Sequence, residues 1–399
     1  MHPPGAETVL VRYGEIGVKS ARVQSRMEGQ LADNIRATLD ARGHEYSLDR
    51  EHTRLYVHTT AEQVGAVTDA VTDVFGVVSA SPVCATEPTL DRICAVLESA
   101  AQNHDEGSFA VRARRAGSAS AHPFSSGDIE RAGGDAVWQT LESRGIEPAV
   151  DLERPARRYY VECRPDRAFV FLEKRDGPGG LPLGTQQPLV ALVSGGIDSP
   201  VAAWLAMKRG CPVVPLYIDL GDYGGPDHRA RAIETLSRLE RYAAGHGLPM
   251  HVAQAGEAID RIVTATESCR MPVLRRFMYR VAERVAEEHD AVGIVTGEAI
   301  GQKSSQTSAT LRAASAATTL PVHRPLLTMD KSEISGRARD IGTYDDSTIH
   351  AGCYRLAPDN PATRPSIAAV RQAEPPDMDT IVEQTAGEVT VVETSTQSG

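Results

Sequence analysis

Apolar and polar residues alternate over positions 8–12, which predicts a strand that ends at Gly14. Over 22–42 the spacing changes to that of a helix, with Met27, Leu31, Ile35 and Leu39 on one face and Gly43 at the end. Residues 54–58 read as another short strand, so a first domain is expected over 1–60. Val64, Val67 and Val71 then predict a helix, 76–83 a strand, and 89–103 a helix with Leu90, Ile93, Val96 and Leu97 on one side. Residues 108–115 read as a strand with outward arginines and 127–144 as a helix. Two strands, 159–164 and 168–173, turn at Pro165-Asp166 and complete a second domain over 61–175. The Gly- and Pro-rich stretch 176–187 reads as a linker.

From Pro188 the period switches repeatedly between strand and helix. Residues 189–193, 213–218, 251–254 and 292–296 are short apolar strands, with helices near 198–210, 229–246 and 270–289 between them. Such alternation predicts a doubly wound α/β domain over 188–370, with a parallel sheet whose ligands sit beyond the carboxyl ends of its strands. The acidic, Ser/Thr-rich remainder, 371–399, is expected to be a mobile tail.

Composition narrows the class. The 399 residues are 41% hydrophobic and 24% charged, and no apolar run approaches the length of a membrane-spanning helix. With no secretory signal at Met1-His2-Pro3-Pro4-Gly5, a cytoplasmic enzyme without membrane contact is expected. The net charge of -11 argues against a coat of positive charge, so any RNA contact must come from local arginine clusters. Arg112, Arg114, Arg115, Arg157 and Arg158 are the visible ones in the second domain; a solvated charged face is the plain alternative. Cysteines stand at 84, 94, 163, 211, 269 and 353 with no C-x-x-C pair, so neither a zinc ribbon nor a thioredoxin-like motif is present.

The run Ser194-Gly195-Gly196-Ile197-Asp198-Ser199 carries the clearest chemistry. It follows a buried strand and opens a helix, where glycines admit an anion to the backbone and the helix N-terminus offers unpaired N–H groups. Ser194 and Ser199 add hydroxyls, and Asp198 can hold Mg²⁺ against phosphates. The run lacks the lysine of a Walker loop. It has the S-G-G-x-D-S signature of PP-loop enzymes, which split ATP between its α and β phosphates.

Further motifs resemble one family. Residues 292–307 resemble the T-G-E-S-L-G-Q-x-x-S-Q-T block of ThiI-type tRNA 4-thiouridine synthetases. Residues 274–280, Leu-Arg-Arg-Phe-Met-Tyr-Arg, look like that family's R-R-x-M-x-R helix, and 323–331 its R-P-L-x-x-M-D-K segment. Arg12-Tyr13-Gly14-Glu15-Ile16 is similar to the family's opening motif, and Cys353-Tyr354-Arg355 to its terminal cysteine block. The resemblance implies a ferredoxin-like domain, a THUMP RNA-binding domain and a PP-loop catalytic domain. It places ATP against Leu192, Val193, Ser194, Gly195, Gly196, Ser199, Tyr217, Ile218, Arg275, Gly297 and Gln306. It implies that ATP adenylates O4 of uridine 8 in tRNA and that persulfide sulfur then displaces AMP. Asp198 and Lys331 would stabilise charge, and Cys353 would handle sulfur with Cys269 as its partner, both cysteines standing where some archaeal relatives have three and an iron–sulfur cluster. With two such cysteines a cluster is the less favoured arrangement. Many bacterial members carry a persulfide-bearing rhodanese domain; this sequence reaches Gly399 without one, so a cysteine desulfurase or inorganic sulfide is the expected sulfur donor. A homodimer is a further implication. The alternatives are sulfur transfer for the thiamine thiazole, another PP-loop RNA thiolase with a different sulfur donor, a PP-loop amidotransferase, and an RNA-binding protein with a relic ATP loop.

Overall fold

The computed structural model describes residues 1–51, 54–117, 121–224, 226–347 and 356–394. They fall into two compact units, Met1–Gly180 and Leu181–Gly399.

In the first unit β1 (Thr8–Tyr13) leads to α1 (Ala21–Ala41), β2 (Ser47–Glu51), β3 (Arg54–His58), α2 (Val64–Val71) and β4 (Val77–Thr86). The predicted face of α1 is buried: Leu31, Ile35 and Leu39 are fully enclosed. Strand β2, with the sequence Ser-Leu-Asp-Arg-Glu, has no apolar alternation and is held by backbone pairing to β3. Then come α3 (Leu90–Ala101), β5 (Ser108–Arg115), α4 (Ser126–Ser143), β6 (Ala149–Val150), β7 (Arg157–Cys163), β8 (Ala168–Phe171) and β9 (Arg175–Asp176). One sheet runs through the unit in the order β2-β3-β1-β4-β8-β7-β5-β6, with β9 also on β4. The boundary expected at residue 60 does not coincide with a break in this sheet. Strand β4 pairs with β1 from Val77 to Val83 and with β8 from Cys84 to Thr86, so 77–83 are bonded into the first half of the sheet.

The second unit runs β10 (Leu189–Val193), α5 (Asp198–Lys208), β11 (Val213–Asp219), α6 (Pro226–Glu240), β12 (Met250–Gln254), α7 (Gly256–Ala265), α8 (Arg270–Glu288) and β13 (Ile294–Val295). It continues with α9 (Ser308–Ser315), β14 (Val322–His323), α10 (Lys331–Asp340), α11 (Ile367–Gln372), α12 (Met378–Gly387) and β15 (Thr390–Val392). The order is β14-β13-β10-β11-β12-β15, parallel except for β15. Val190, Leu192, Leu216 and Ile218 share a core with α7, α8 and α12, while α5 packs on β10 with α6 and α10 beside it. The expected α/β architecture is therefore present, with helices on both faces of the sheet.

The stretch 371–399, expected from its acidity to be a mobile tail, is built into the fold as far as Thr394. Met378, Ile381, Val382 and Ala386 of α12 bury their side chains in the core, and β15 pairs antiparallel with β12. The acidic residues match arginines on α8: Glu383 accepts from Arg284 Nε at 2.7 Å, and Asp379 from Arg280. Charges that read as a solvated tail are the outer row of an amphipathic helix.

Candidate active site

Strand order positions the site. From β10 the chain moves to β11 and β12 on one side and returns through β13 on the other. The loops after β10 and β13 thus diverge at the carboxyl end of the sheet, where open parallel sheets leave a crevice. A cavity of about 400 Å³ lies there, lined by Leu192, Val193, Ser194, Gly196, Asp198 and Ser199 from the β10 side. Arg275 of α8, with Gly297 and Gln306 after β13, closes the opposite wall. Gly195, Tyr217 and Ile218 line a smaller cavity of about 50 Å³, which shares Val193, Ser194, Leu274 and Met278 with the first. Residues scattered over more than a hundred positions of sequence thus meet around one crevice.

The loop is shaped by its own hydroxyls. Ser194 N–H donates to Ser199 Oγ at 2.8 Å, Ser199 Oγ lies 3.2 Å from Ser194 O, and Gly196 N–H reaches Ser194 Oγ at 3.4 Å. A Cβ on Gly195 would stand 2.8 Å from the His228 carbonyl oxygen. One on Gly297 would stand 2.8 Å from the backbone of Asp198 and Ser199, so this glycine lets the β13 loop press against the start of α5. Gly297→Ala is expected to push these two loops apart, lowering turnover about a hundredfold and stability by about 1–3 kcal/mol. Steady-state kinetics and a denaturant titration check both.

Asp198 stands at the first position of α5, and Lys331, at the first position of α10, donates from Nζ to its Oδ1 at 2.7 Å. Arg275, expected to neutralise phosphate, is instead largely engaged by protein. It donates to Ser305 O at 2.8 Å and Ser305 Oγ at 3.0 Å, and its Nε lies 2.7 Å from Glu298 Oε1. Glu298 also accepts from Arg324 Nε at 2.9 Å, from Thr296 Oγ1 at 3.1 Å and from the Tyr279 hydroxyl. Burial and the Glu298 charge push the Tyr279 phenol well above its ordinary range. Two guanidiniums thus share one buried carboxylate, an arrangement that fixes the cavity wall because removing any member would strand a buried charge. Glu298 and Tyr279, together with Lys303, line the cavity and were not singled out from the sequence; Glu298 lies inside the T-G-E block that was.

Buried Gln306 Oε1 has no hydrogen-bond partner among the described residues, an acceptor left for a ligand. Cys269 occupies the N-cap position of α8 without a side-chain capping bond, next to Ser268, whose carbonyl accepts from Ala362 N–H at 2.9 Å; Pro361 and Met271 line the cavity. Cys353, with His350 and Arg355, lies outside the described residues. Among the described residues no three His, Cys, Asp or Glu gather as a metal group, and no helix is long and apolar enough to cross a membrane.

In the first unit the five arginines expected to meet RNA do not form one patch. The β5–β7 pairing sets Arg112 opposite Tyr160 and Ala110 opposite Arg158, so Arg112, Arg114 and Arg158 share one sheet face. Arg115 and Arg157 share the parity of Val111 and Tyr159, which face the helical core. Their guanidiniums bond loop carbonyls: Arg115 to Phe124 at 2.8 Å and Arg157 to Asn103 at 3.0 Å. The other face gains cations the sequence did not reveal. Arg12, Arg54, Arg112, Arg114 and Lys174 surround a cavity of about 210 Å³ with Tyr160 and Phe171. The carboxylate lining this cavity, Glu162, is buried; burial works to raise its pKa, but the Arg164 hydrogen bond and the Arg12 and Arg54 charges hold it below the usual range. In an acidic protein this is a local excess of positive charge beside aromatic rings, with Lys174 Nζ 4.7 Å from the Tyr160 ring centre.

Comparison with known proteins agrees with this layout. Residues 8–81 match the family model described as the ThiI ferredoxin-like domain, 84–173 the THUMP domain, and 184–376 the thiamine biosynthesis protein (ThiI). A probable tRNA sulfurtransferase of Halobacterium salinarum is 57% identical over 376 residues, 94% of either chain. One of Methanosarcina acetivorans is 43% identical over 89% of this chain and 86% of its own. Among solved structures, a 4-thiouridine synthetase in complex with RNA and bound ATP is similar at 28% identity and a TM-score of 0.82, covering 97% of this chain and 99% of that one. The chain, by sequence and by fold, belongs to the ThiI family of tRNA sulfurtransferases.

Proposed function

We propose that this protein uses ATP to replace O4 of a tRNA uridine, at position 8, with sulfur, giving 4-thiouridine. The observation that carries this reading is the switch-point cavity, where the Ser194–Ser199 loop, Gly297 and Gln306 meet in a member of this family. The loop's glycines and N–H groups suit the β and γ phosphates, and the apolar strand end at Tyr217 and Ile218 would flank a purine that extends from the main cavity. A Mg²⁺ arriving with ATP would be held by Asp198 and phosphate oxygens and would neutralise charge there.

Chemically, the uracil oxygen attacks the α-phosphorus and pyrophosphate leaves into the loop. A persulfide on Cys353 attacks C4, AMP departs, and the sulfur is left bridged between C4 and Cys353. The Cys269 thiolate then attacks Cys353 Sγ and frees 4-thiouridine, leaving a Cys269–Cys353 disulfide that an external thiol reopens. Lys331, drawn to Asp198 in the structure, is placed to exchange that carboxylate for phosphate when ATP enters. Nucleoside mass spectrometry of tRNA from cells lacking the gene tests the reading; unaltered 4-thiouridine rejects it.

RNA would lie on the first unit's open sheet face. Replacing Arg112, Arg114 and Lys174 together by Gln is expected to weaken tRNA binding and to reduce the slope of log K against log salt by about two to three. Filter binding at several salt concentrations checks this, and an unchanged slope removes the face from the interface.

A further inference from the structure

We propose that Lys303 is a phosphate-contacting residue of the reaction, an inference that rests on the nucleotide reading above. Among the described residues, the cations lining the main cavity are Arg275 and Lys303. Arg275 is committed to Ser305 and Glu298, and Lys331 stands against Asp198. Lys303 is exposed on the cavity wall, and its ammonium makes no hydrogen bond or ion pair among the described residues. Its position is fixed although its head group is free. Gln306 N–H donates to Lys303 O at 2.8 Å and Gly301 N–H to Gln306 O at 2.9 Å, while Arg275 clamps the intervening Ser305.

A donor in the same turn also awaits a partner: Gln302 Nε2 has none among the described residues, whereas buried Gln306 Oε1, likewise unpartnered, is an acceptor and suits a hydroxyl or amine of the ligand rather than its phosphate. A rigid turn that offers an unpaired cation beside an unsatisfied amide N–H is a ligand-facing surface. The chemistry recognised is a phosphate oxyanion, and both substrates of the proposed reaction carry one: the nucleotide in its phosphate chain, the RNA in its backbone.

The test compares the wild-type protein with Lys303→Met and Lys303→Arg. Affinity for an α,β-methylene ATP analogue is measured without RNA, tRNA affinity without nucleotide across a salt series, and turnover with both. Lys303→Met is expected to lose about tenfold in one of these, and Lys303→Arg to recover most of the loss. A loss in the nucleotide arm assigns ATP phosphate. A loss in the tRNA arm, with the salt slope falling by about one, assigns an RNA phosphate. A loss of turnover alone assigns charge that develops in the transition state. Wild-type behaviour in all three arms overturns the inference and leaves the nucleotide reading standing. Failure of the wild-type protein to bind the analogue overturns both.

Discussion

Asp198→Ala is expected to lower 4-thiouridine formation by about two to three orders of magnitude while the protein stays folded. Asp198 begins α5, directly after the loop, and its carboxylate lines the cavity with a quarter of the side chain exposed. A negative group aimed at a phosphate site is repulsive by itself, so its value there lies in holding cations: Lys331 at 2.7 Å now, and Mg²⁺ when ATP is bound. Asp198→Asn keeps the shape and removes the charge, which separates electrostatics from packing. Both variants should show unchanged thermal unfolding and slow pyrophosphate release. Retention of more than about a tenth of wild-type turnover in either would contradict a role in holding charge at the reacting phosphate.

The second large effect concerns sulfur. Cys353→Ala is expected to abolish 4-thiouridine formation while ATP binding and pyrophosphate release persist, because alanine has no sulfur to carry and the adenylation step does not need one. Of the described residues that follow in sequence, Ala357 and Pro358 line the cavity, and Leu356 is buried in the core. Cys269→Ala should behave differently. It would permit one round of sulfur transfer and then trap the tRNA on Cys353 through a disulfide, visible as a slower-migrating band that a reductant removes. Full activity in Cys353→Ala would move the sulfur chemistry elsewhere in the protein.

Local signals made part of this site legible in the sequence. The Ser194–Ser199 run announces itself because its loop, strand end and helix start are contiguous, and the strand alternation around it implied the parallel sheet. The Glu298 network was not legible: Arg275, Tyr279, Glu298, Ser305 and Arg324 are brought together only when α8 packs against the loops after β13 and β14. At the C-terminus the acidic composition hides a helix whose signal is the spacing of Met378, Ile381, Val382 and Ala386. Period-two parity also separates Arg112 and Arg114 from Arg115, a split that basic clustering alone conceals. Strand β2 has no apolar face to read, and only its partner β3 makes it a strand.

The antiparallel strand β15 has a consequence for biogenesis. During synthesis, the outer edge of β12 emerges with its N–H and C=O groups unpaired, and it stays open until Thr390 has been added. Every nascent chain on a polysome therefore displays a sticky edge of the same sequence while α8 through α12 are still being made. Ribosome stalling or premature termination before Thr390 should yield fragments that engage chaperones or self-associate, whereas a chain that includes β15 seals the edge.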